Sequence, residues 1–229
     1  ERLLARGANL ILSGRDQQAV DAAVDELSGH GPHVLGFAAD LSNLASTHAL
    51  AQNAMSAFGR IDILVNNAGM SRRGHFWDVT DADWDEQVNV NLRSPFILAQ
   101  HVARRMIERG TRGRIVNVGT IGARKCHRDG CIYDSAKGGV EVMTRNMAFE
   151  LAPYGISVNC VVPGAIPIRP GGTFDPEASG QYLQFVPVGR FGSSEDIAAA
   201  VLYFCELGTE FTTGQSLLVD GGHAAYLYE

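Results

Sequence analysis

A short apolar segment followed closely by a long helical one limits the folds that this chain can adopt. Residues 114–118 (RIVNV) are rich in β-branched side chains and lie between two glycines, a pattern typical of a buried strand. After a polar loop, residues 132–151 carry apolar side chains at helical spacing. Strand-like and helix-like segments also alternate elsewhere along the chain, and the sequence therefore predicts an α/β fold.

The composition favours one domain that covers residues 1–229. Hydrophobic side chains make up 45% of the chain and 26 residues are glycine, which suits one α/β core with many tight turns. The net charge of −6 argues against nucleic acid or an anionic membrane as a partner, because both bind clustered cations. No apolar run approaches the roughly 18 residues of a membrane span, and the first residues do not resemble a signal peptide. We therefore expect a soluble protein.

The four cysteines and seven histidines do not indicate disulfides or a metal site. The cysteines include no C-x-x-C pair, and the histidines are scattered without the spacing of metal ligands. We expect reduced thiols in a cytoplasmic protein that binds no metal.

Three polar side chains are predicted to converge where the strand at 114–118 ends and the helix at 132–151 begins. Tyr133 and Lys137 are one helical turn apart, about 5–6 Å between Cβ atoms. A lysine ammonium at that distance favours the phenolate and is expected to lower the pKa of the tyrosine. Thr120 supplies a hydroxyl at the strand end, where a doubly wound sheet presents its ligand crevice. The alternative is an ordinary surface pair, which is what a lone Tyr-x-x-x-Lys usually forms.

The neighbouring segments strengthen the catalytic interpretation. The order of strand, hydroxyl residue, loop, Tyr-x-x-x-Lys helix and a further strand ending in Pro163-Gly164 resembles the short-chain dehydrogenase/reductase family, in particular its 3-oxoacyl-ACP-reductase-like members. The tetrapeptide NNAG at residues 66–69 matches a motif of that family residue for residue. The resemblance covers nearly the whole chain and implies a Rossmann-type, doubly wound parallel sheet in three α/β/α layers. It also implies an oxidoreductase that moves a hydride between NADP, or alternatively NAD, and a carbonyl or secondary alcohol.

The resemblance further implies roles for individual residues. Tyr133 would be the general acid/base, and Lys137 its pKa partner and a ligand of the cofactor ribose. Thr120 would donate to the substrate oxygen; serine is usual there, and the β-branch of threonine restricts its χ1. Asn91, inside a predicted helix at 84–109, would hold a water that links the lysine to solvent, or else it is a satisfied core asparagine. Cofactor contacts are implied for Asp40, Leu41, Asn66, Ala68, Gly69, Tyr133, Lys137, Pro163, Gly164 and Ile166.

The residues after the predicted strand at 9–13 bear on the choice of dinucleotide. A fold that prefers NAD usually places an acidic residue at this strand end, whereas a nearby arginine accommodates the 2′-phosphate of NADP. Gly14 fills the acidic position and Arg15 follows, which favours NADP because a guanidinium suits a phosphate. The alternative is that Arg15 is a solvated loop residue, while Asp16 is predicted to cap the next helix. Ile168 stands where the family commonly has a hydroxyl that binds the carboxamide.

The start of the chain departs from the family pattern. In the family, a strand and a glycine-rich turn that holds the pyrophosphate come before the segment that resembles residues 1–7. Both are absent, so the strands at 9–13 and 61–65 are expected to flank a missing central strand. Buried unpaired ladder groups cost roughly 1–3 kcal/mol each, and we therefore expect a fragment rather than a working protein of this length. The alternative is a cofactor-free structural or regulatory subunit.

Substrate and assembly are the least determined by sequence. Residues 169–186 are rich in glycine and proline with interspersed aromatic residues, which suits a mobile lid over the substrate. By resemblance, the protein is expected to form a homo-oligomer, either a dimer or a tetramer, and to act on a small molecule. Several side chains suit a polar or acidic substrate, namely Arg72, Arg73, His75, Trp77 and Phe174. Solvation at the surface explains the two arginines equally well.

Overall fold

The computed structural model describes residues 1–31, 33–167 and 182–225. The strands are β1 Leu10–Gly14, β2 Val34–Ala38, β3 Ile63–Asn66, β4 Arg114–Val118, β5 Ser157–Pro163 and β6 Ser216–Val219. The helices are α1 Gln17–Ser28, α2 Leu44–Ala57, α3 Asp81–Val88, α4 Ser94–Arg109, α5 Cys131–Leu151 and α6 Ser194–Cys205. Strands β1, β3 and β4 and helix α5 lie within two residues of their predicted positions, whereas the predicted helix at 84–109 divides.

All described strand pairs are parallel, as the predicted α/β fold requires. One sheet holds β1 and β2, and a second holds β3, β4, β5 and β6 in that order. In the described part of the chain, β1 and β3 share no ladder. The carboxyl ends of parallel strands meet at one edge, so the ends of β3, β4 and β5 present their following loops together.

The central strands are covered on both faces, which gives three layers. Ile115 of β4 is fully buried against α4 and α5, in a cluster that includes Met106 and Ala148. The next residue, Val116, points to the opposite face and packs against Phe204 of α6. This alternation follows from the two-residue period of a strand. Burying a side chain of this size contributes roughly 1.5–3 kcal/mol, so the strand that carries Thr120 at its end is firmly held.

The predicted helix at 84–109 is interrupted by a π-helical turn. Helix α3 ends at Val88, the π turn covers Asn89–Arg93, and α4 starts at Ser94 with Pro95 in its first turn. Proline fits there because the first N–H groups of a helix lack intrahelical partners. The π turn contains the candidate residue Asn91.

Two further features concern membranes and metals. In residues 1–31, 33–167 and 182–225, no helix combines the length and the apolar character needed to cross a bilayer. The same residues contain no cluster of three His, Cys, Asp or Glu side chains that would hold a metal ion. Ile168, Phe174 and most of the predicted lid lie outside the described residues.

Candidate active site

The hydroxyl groups of Thr120 and Tyr133 meet where β4 ends and α5 begins. Thr120 caps the 3₁₀ turn Ile121–Ala123, with its Oγ1 accepting from the amide of Gly122 at 3.3 Å. Tyr133 lies in the first turn of α5, where the side chain of Thr120 is close enough to influence the pKa of its phenol. Thr120 is only 7% exposed. Strand end and helix start thus hold two hydroxyls in one partly buried place.

The pKa of Tyr133 differs in direction from the sequence-based expectation. Burial raises the pKa of the phenol, and the hydrogen bond from Thr120 opposes this rise. The carboxylate of Asp134 raises the pKa further, whereas the guanidinium of Arg73 lowers it. The expected lowering by Lys137 fails because burial outweighs the other effects, and because the lysine ammonium is directed elsewhere.

Lys137 is almost completely buried behind the end of β4. Its Nζ donates to the carbonyl oxygen of Val118 at 2.8 Å, and the residue is 3% exposed. Burial lowers the pKa of this lysine to about 8. A Cβ added to Gly69 would lie 3.3 Å from this Nζ and 3.1 Å from Oδ1 of Asn91. The backbone at Gly69 therefore lies between Lys137 and Asn91, which brings two of the predicted residues to the same point.

Asn91 is held by the backbone of one residue. Its Oδ1 accepts from the amide of Met70 at 3.0 Å, and its Nδ2 donates to the carbonyl of Met70 at 2.8 Å. Asn91 is fully buried. Because an amide has one donor end and one acceptor end, this pair of bonds fixes its orientation. The side chain thereby positions the residue that follows the NNAG tetrapeptide.

A second set of polar side chains crosses the sheet below the site. Asn66 donates from Nδ2 to Oδ1 of Asn117 at 2.9 Å, and Asn117 donates from Nδ2 to Oγ1 of Thr144 at 2.9 Å. Asn66 was predicted from the tetrapeptide, but Asn117 and Thr144 were not. The signal for Asn117 is a polar residue within the apolar strand β4. In the described residues, the buried Oδ1 of Asn66 has no hydrogen-bond partner.

The residues predicted to contact the adenosine part of a cofactor lie after β1 and β2. Asp40 accepts from the amide and the hydroxyl of Ser42 at 2.9 and 2.8 Å. These bonds, and to a smaller degree the charge of Arg15, hold the pKa of Asp40 below its usual value. Arg15 is exposed, and Asp16 caps α1 as predicted, accepting from Ala19 at 2.8 Å. Arg15 and the loop of Asp40 therefore face a common region.

The stretch after β5 is shaped by packing against β6. The amide of Gly164 donates to the carbonyl of Val219 at 3.0 Å, and a Cβ added to Gly164 would lie 2.6 Å from Cα of Asp220. Glycine is therefore required here for backbone approach. Pro163 ends β5, while Ile166 packs beside Gly192 and lines a small depression with Val219. Pro163 and Gly164 thus lie at the carboxyl edge of the sheet, and Ile166 lies farther along the chain.

Two loops close against each other beside Tyr133. One follows β3 and the other joins the turn after Thr120 to α5. The amide of Gly74 donates to the carbonyl of Asp129 at 3.0 Å, and His75 pairs with the Asp129 carboxylate at 2.9 Å. His127 donates its amide to Asp134 at 2.7 Å, and its ring nitrogen contacts the same carboxylate at 2.7 Å. These contacts hold the two loops together beside Tyr133.

Comparison with known proteins gives consistent matches. Residues 1–224 match the family model described as Enoyl-(Acyl carrier protein) reductase. The (2S)-[(R)-hydroxy(phenyl)methyl]succinyl-CoA dehydrogenase subunit BbsD of Thauera aromatica is 42% identical over 229 residues, covering 98% of this chain and 90% of that protein. L-xylulose reductase of Mesocricetus auratus is 36% identical over 222 residues, covering 96% and 88%.

Solved structures of dehydrogenases superpose on this chain over nearly its whole length. Acetoin dehydrogenase YohF from Salmonella typhimurium superposes with a TM-score of 0.90 at 31% identity, covering 100% of this chain and 90% of that one. A gluconate 5-dehydrogenase from Burkholderia cenocepacia J2315, in complex with NADP and tartrate, superposes with a TM-score of 0.89 at 29% identity, covering 98% and 89%.

Proposed function

Because the chain belongs to the short-chain dehydrogenase/reductase family, we propose that Tyr133, Thr120 and Lys137 are its catalytic residues, with Asn91 positioning them. The protein is an NAD(P)-dependent oxidoreductase that acts on a carbonyl or secondary alcohol. The observation that carries the assignment of residues is the convergence of Thr120, at the end of β4, with Tyr133, in the first turn of α5, where Thr120 acts on the phenol.

Each hydroxyl has a chemical task in this proposal. The bound dinucleotide supplies or accepts the hydride. In the direction of reduction, Tyr133 gives its proton to the carbonyl oxygen of the substrate, and Thr120 donates a hydrogen bond to the same oxygen. The raised pKa supports this direction, because the phenol keeps its proton at neutral pH and is available as an acid.

Lys137 and Asn91 act behind the two hydroxyls. One of the three N–H donors of Lys137 is used by Val118. The remaining donors are available for the hydroxyls of the cofactor ribose. We assign Asn91 a positioning role, supported by its two bonds to Met70 next to Gly69. A water held near Asn91 would continue the path of the proton to solvent.

NADP is the dinucleotide that we propose, with NAD as the alternative. Exposed Ala68 and Gly69 leave the backbone after β3 accessible, which fits close approach of a planar ring or a sugar. The exposed guanidinium of Arg15 beside the loop of Asp40 supports recognition of a 2′-phosphate. The gluconate 5-dehydrogenase that superposes on this chain was solved with NADP. The other proposed contacts to the cofactor are Leu41, Asn66, Pro163, Gly164 and Ile166.

We also propose a cytoplasmic homo-oligomer whose interface includes the outer faces of α4 and α5. Phe96 on α4 is 46% exposed, and Val142 and Phe149 on α5 are 49% and 85% exposed. Apolar side chains of this size on adjacent helices support burial in a subunit contact. The four free cysteines support a reducing compartment. Light scattering should report a dimer or tetramer that Phe149→Glu weakens, and a wild-type monomer would contradict the proposal.

The catalytic assignment is tested by Tyr133→Phe. We expect kcat for carbonyl reduction to fall by about 10²–10⁴-fold, because general acid–base catalysis contributes that much, while NADPH binding measured by fluorescence persists. Tyr154→Phe is the matched control, since Tyr154 is 53% exposed beyond the far end of α5. Turnover by Tyr133→Phe within a few-fold of wild type would refute the assignment.

A further inference from the structure

Arg72 and Arg73 are neighbours in sequence but differ in their partners. Arg72 forms ion pairs with Asp83 at 2.7 Å and with Glu86 at 2.9 Å, so its charge is balanced on α3. Arg73 donates from Nη1 to the carbonyl oxygen of Arg128 at 2.7 Å. In residues 1–31, 33–167 and 182–225, no carboxylate pairs with Arg73, whose side chain is exposed. Among these residues, the positive charge of Arg73 is therefore not balanced by a carboxylate.

The contact with Arg128 places this charge beside the hydroxyl pair. Arg128 follows His127, whose ring centroid lies 6.2 Å from that of Tyr133. The charge of Arg73 acts on Tyr133, where it opposes the rise in the pKa of the phenol. The guanidinium thus lies near the hydroxyl pair at which the substrate carbonyl is proposed to react.

Other charged groups near Tyr133 already have partners. Asp134 is the carboxylate that acts on Tyr133, and it accepts from both the amide and the ring of His127. Asp129 is paired with His75. Among the described residues, these carboxylates near Tyr133 therefore have partners, whereas no carboxylate pairs with Arg73.

We propose that Arg73 binds a carboxylate of the substrate, and that the enzyme acts on keto acids or hydroxy acids in preference to neutral carbonyl compounds. With Nη1 engaged by the carbonyl of Arg128, the Nε and Nη2 donors can form a fork that matches two carboxylate oxygens. The inference rests on the proposed reaction at Thr120 and Tyr133, and it assigns the substrate class to that site.

Matched acid and ester substrates test the proposal. Reduction of levulinate and acetoacetate is compared with that of their methyl esters, using NADPH with wild type, Arg73→Gln, Arg73→Lys and the control Arg72→Gln. Arg73→Gln should lower kcat/KM for the acids by about 10–100-fold, mainly through KM, because a charge-assisted bond is lost. The esters should change by less than about threefold, Arg73→Lys should recover part of the loss, and Arg72→Gln should affect acids and esters equally.

Two further measurements make every outcome decisive. Calorimetry of levulinate with the enzyme–NADP complex should give a Kd that rises about tenfold or more in Arg73→Gln; the absence of binding by wild type, or equal Kd values, would overturn the proposal. The positive charge of Arg73 lowers the pKa of Tyr133. In Arg73→Gln, which leaves the neighbouring residues Asp134 and His127 in place, the part of the pH–rate profile for the esters that reports ionisation of Tyr133 should therefore move to higher pH.

The failure of this inference can be separated from failure of the proposed reaction. If Tyr133→Phe abolishes turnover of acids and esters but Arg73→Gln changes neither, the reaction is right and the substrate class is wrong. If Tyr133→Phe leaves both unchanged, the assignment of the reaction itself is wrong.

Discussion

Lys137 and Val118 join the first part of α5 to the end of β4 through a hydrogen bond of 2.8 Å from ammonium to carbonyl. The bond lies in a site where Lys137 is 3% exposed. The single bond does not offset the loss of hydration, so burial lowers the pKa of the lysine to about 8. A group that we propose for catalysis is therefore kept at a cost in stability near neutral pH.

The first prediction concerns this cost. The unfolded lysine titrates near 10.5 and the folded one near 8, so the unfolded state binds more protons between these values and stability rises with pH there. Relative to Lys137→Met, the free energy of unfolding of wild type should increase by on the order of 3 kcal/mol from pH 8 to pH 10.5. Urea unfolding at several pH values measures this, and a pH-independent difference between the two proteins would contradict it.

The second prediction separates the hydroxyl of Thr120 from its methyl group. Thr120→Ser should keep most of the activity, whereas Thr120→Val, which has nearly the same shape, should lose about 10²-fold or more in kcat. The valine variant also loses the acceptor for the Gly122 amide, so its melting temperature must be measured alongside. Equal activity of the valine variant and wild type would show that the oxygen has no role.

The third prediction concerns the choice of cofactor. Arg15→Ala should weaken NADP by about 10–100-fold, since charge-assisted bonds contribute roughly 1.5–3 kcal/mol, and should change NAD little. Arg60→Ala is the control because Arg60 pairs with Asp62 before the amino end of β3, whereas Arg15 follows the carboxyl end of β1. Titration with both dinucleotides measures the effect. If Arg15→Ala weakens both alike, Arg15 is a general surface charge.

The fourth prediction uses two glycines of one loop. A Cβ at Gly69 would crowd Asn91 Oδ1 and Lys137 Nζ at 3.1 and 3.3 Å, whereas a Cβ at Gly74 would meet nothing within 4 Å. Gly69→Ala should therefore lower kcat by roughly tenfold or more, because small displacements of catalytic groups are costly. Gly74→Ala should remain within about twofold of wild type. Steady-state kinetics of the two variants measures the effect. Equal losses of kcat in both would exclude crowding of Asn91 and Lys137 as the cause.

Local sequence patterns predicted most of the elements, because each pattern is contained in a short segment. The strand at 114–118 and the place of Thr120 after it follow from β-branched residues between glycines. The π turn at Asn89–Arg93 was missed, since the apolar spacing continues through it without a break. Neither the rise in the pKa of Tyr133 nor the different partners of Arg72 and Arg73 is visible in sequence, because burial and ion pairing depend on residues distant along the chain.

The polar chain from Asn66 through Asn117 to Thr144 has a mechanical consequence. A helix that contacts a sheet only through apolar side chains can shift along its axis, because an apolar side chain of one turn can take the place of one from the next turn. Thr144 is fully buried and accepts a hydrogen bond from Asn117 of β4. A shift of α5 by one turn, about 5.4 Å, would break this bond and leave buried polar groups without a hydrogen-bond partner. The hydrogen bonds from Asn66 through Asn117 to Thr144 therefore fix the position of α5 along its axis. They keep Tyr133, about three turns away, in register with the end of β4.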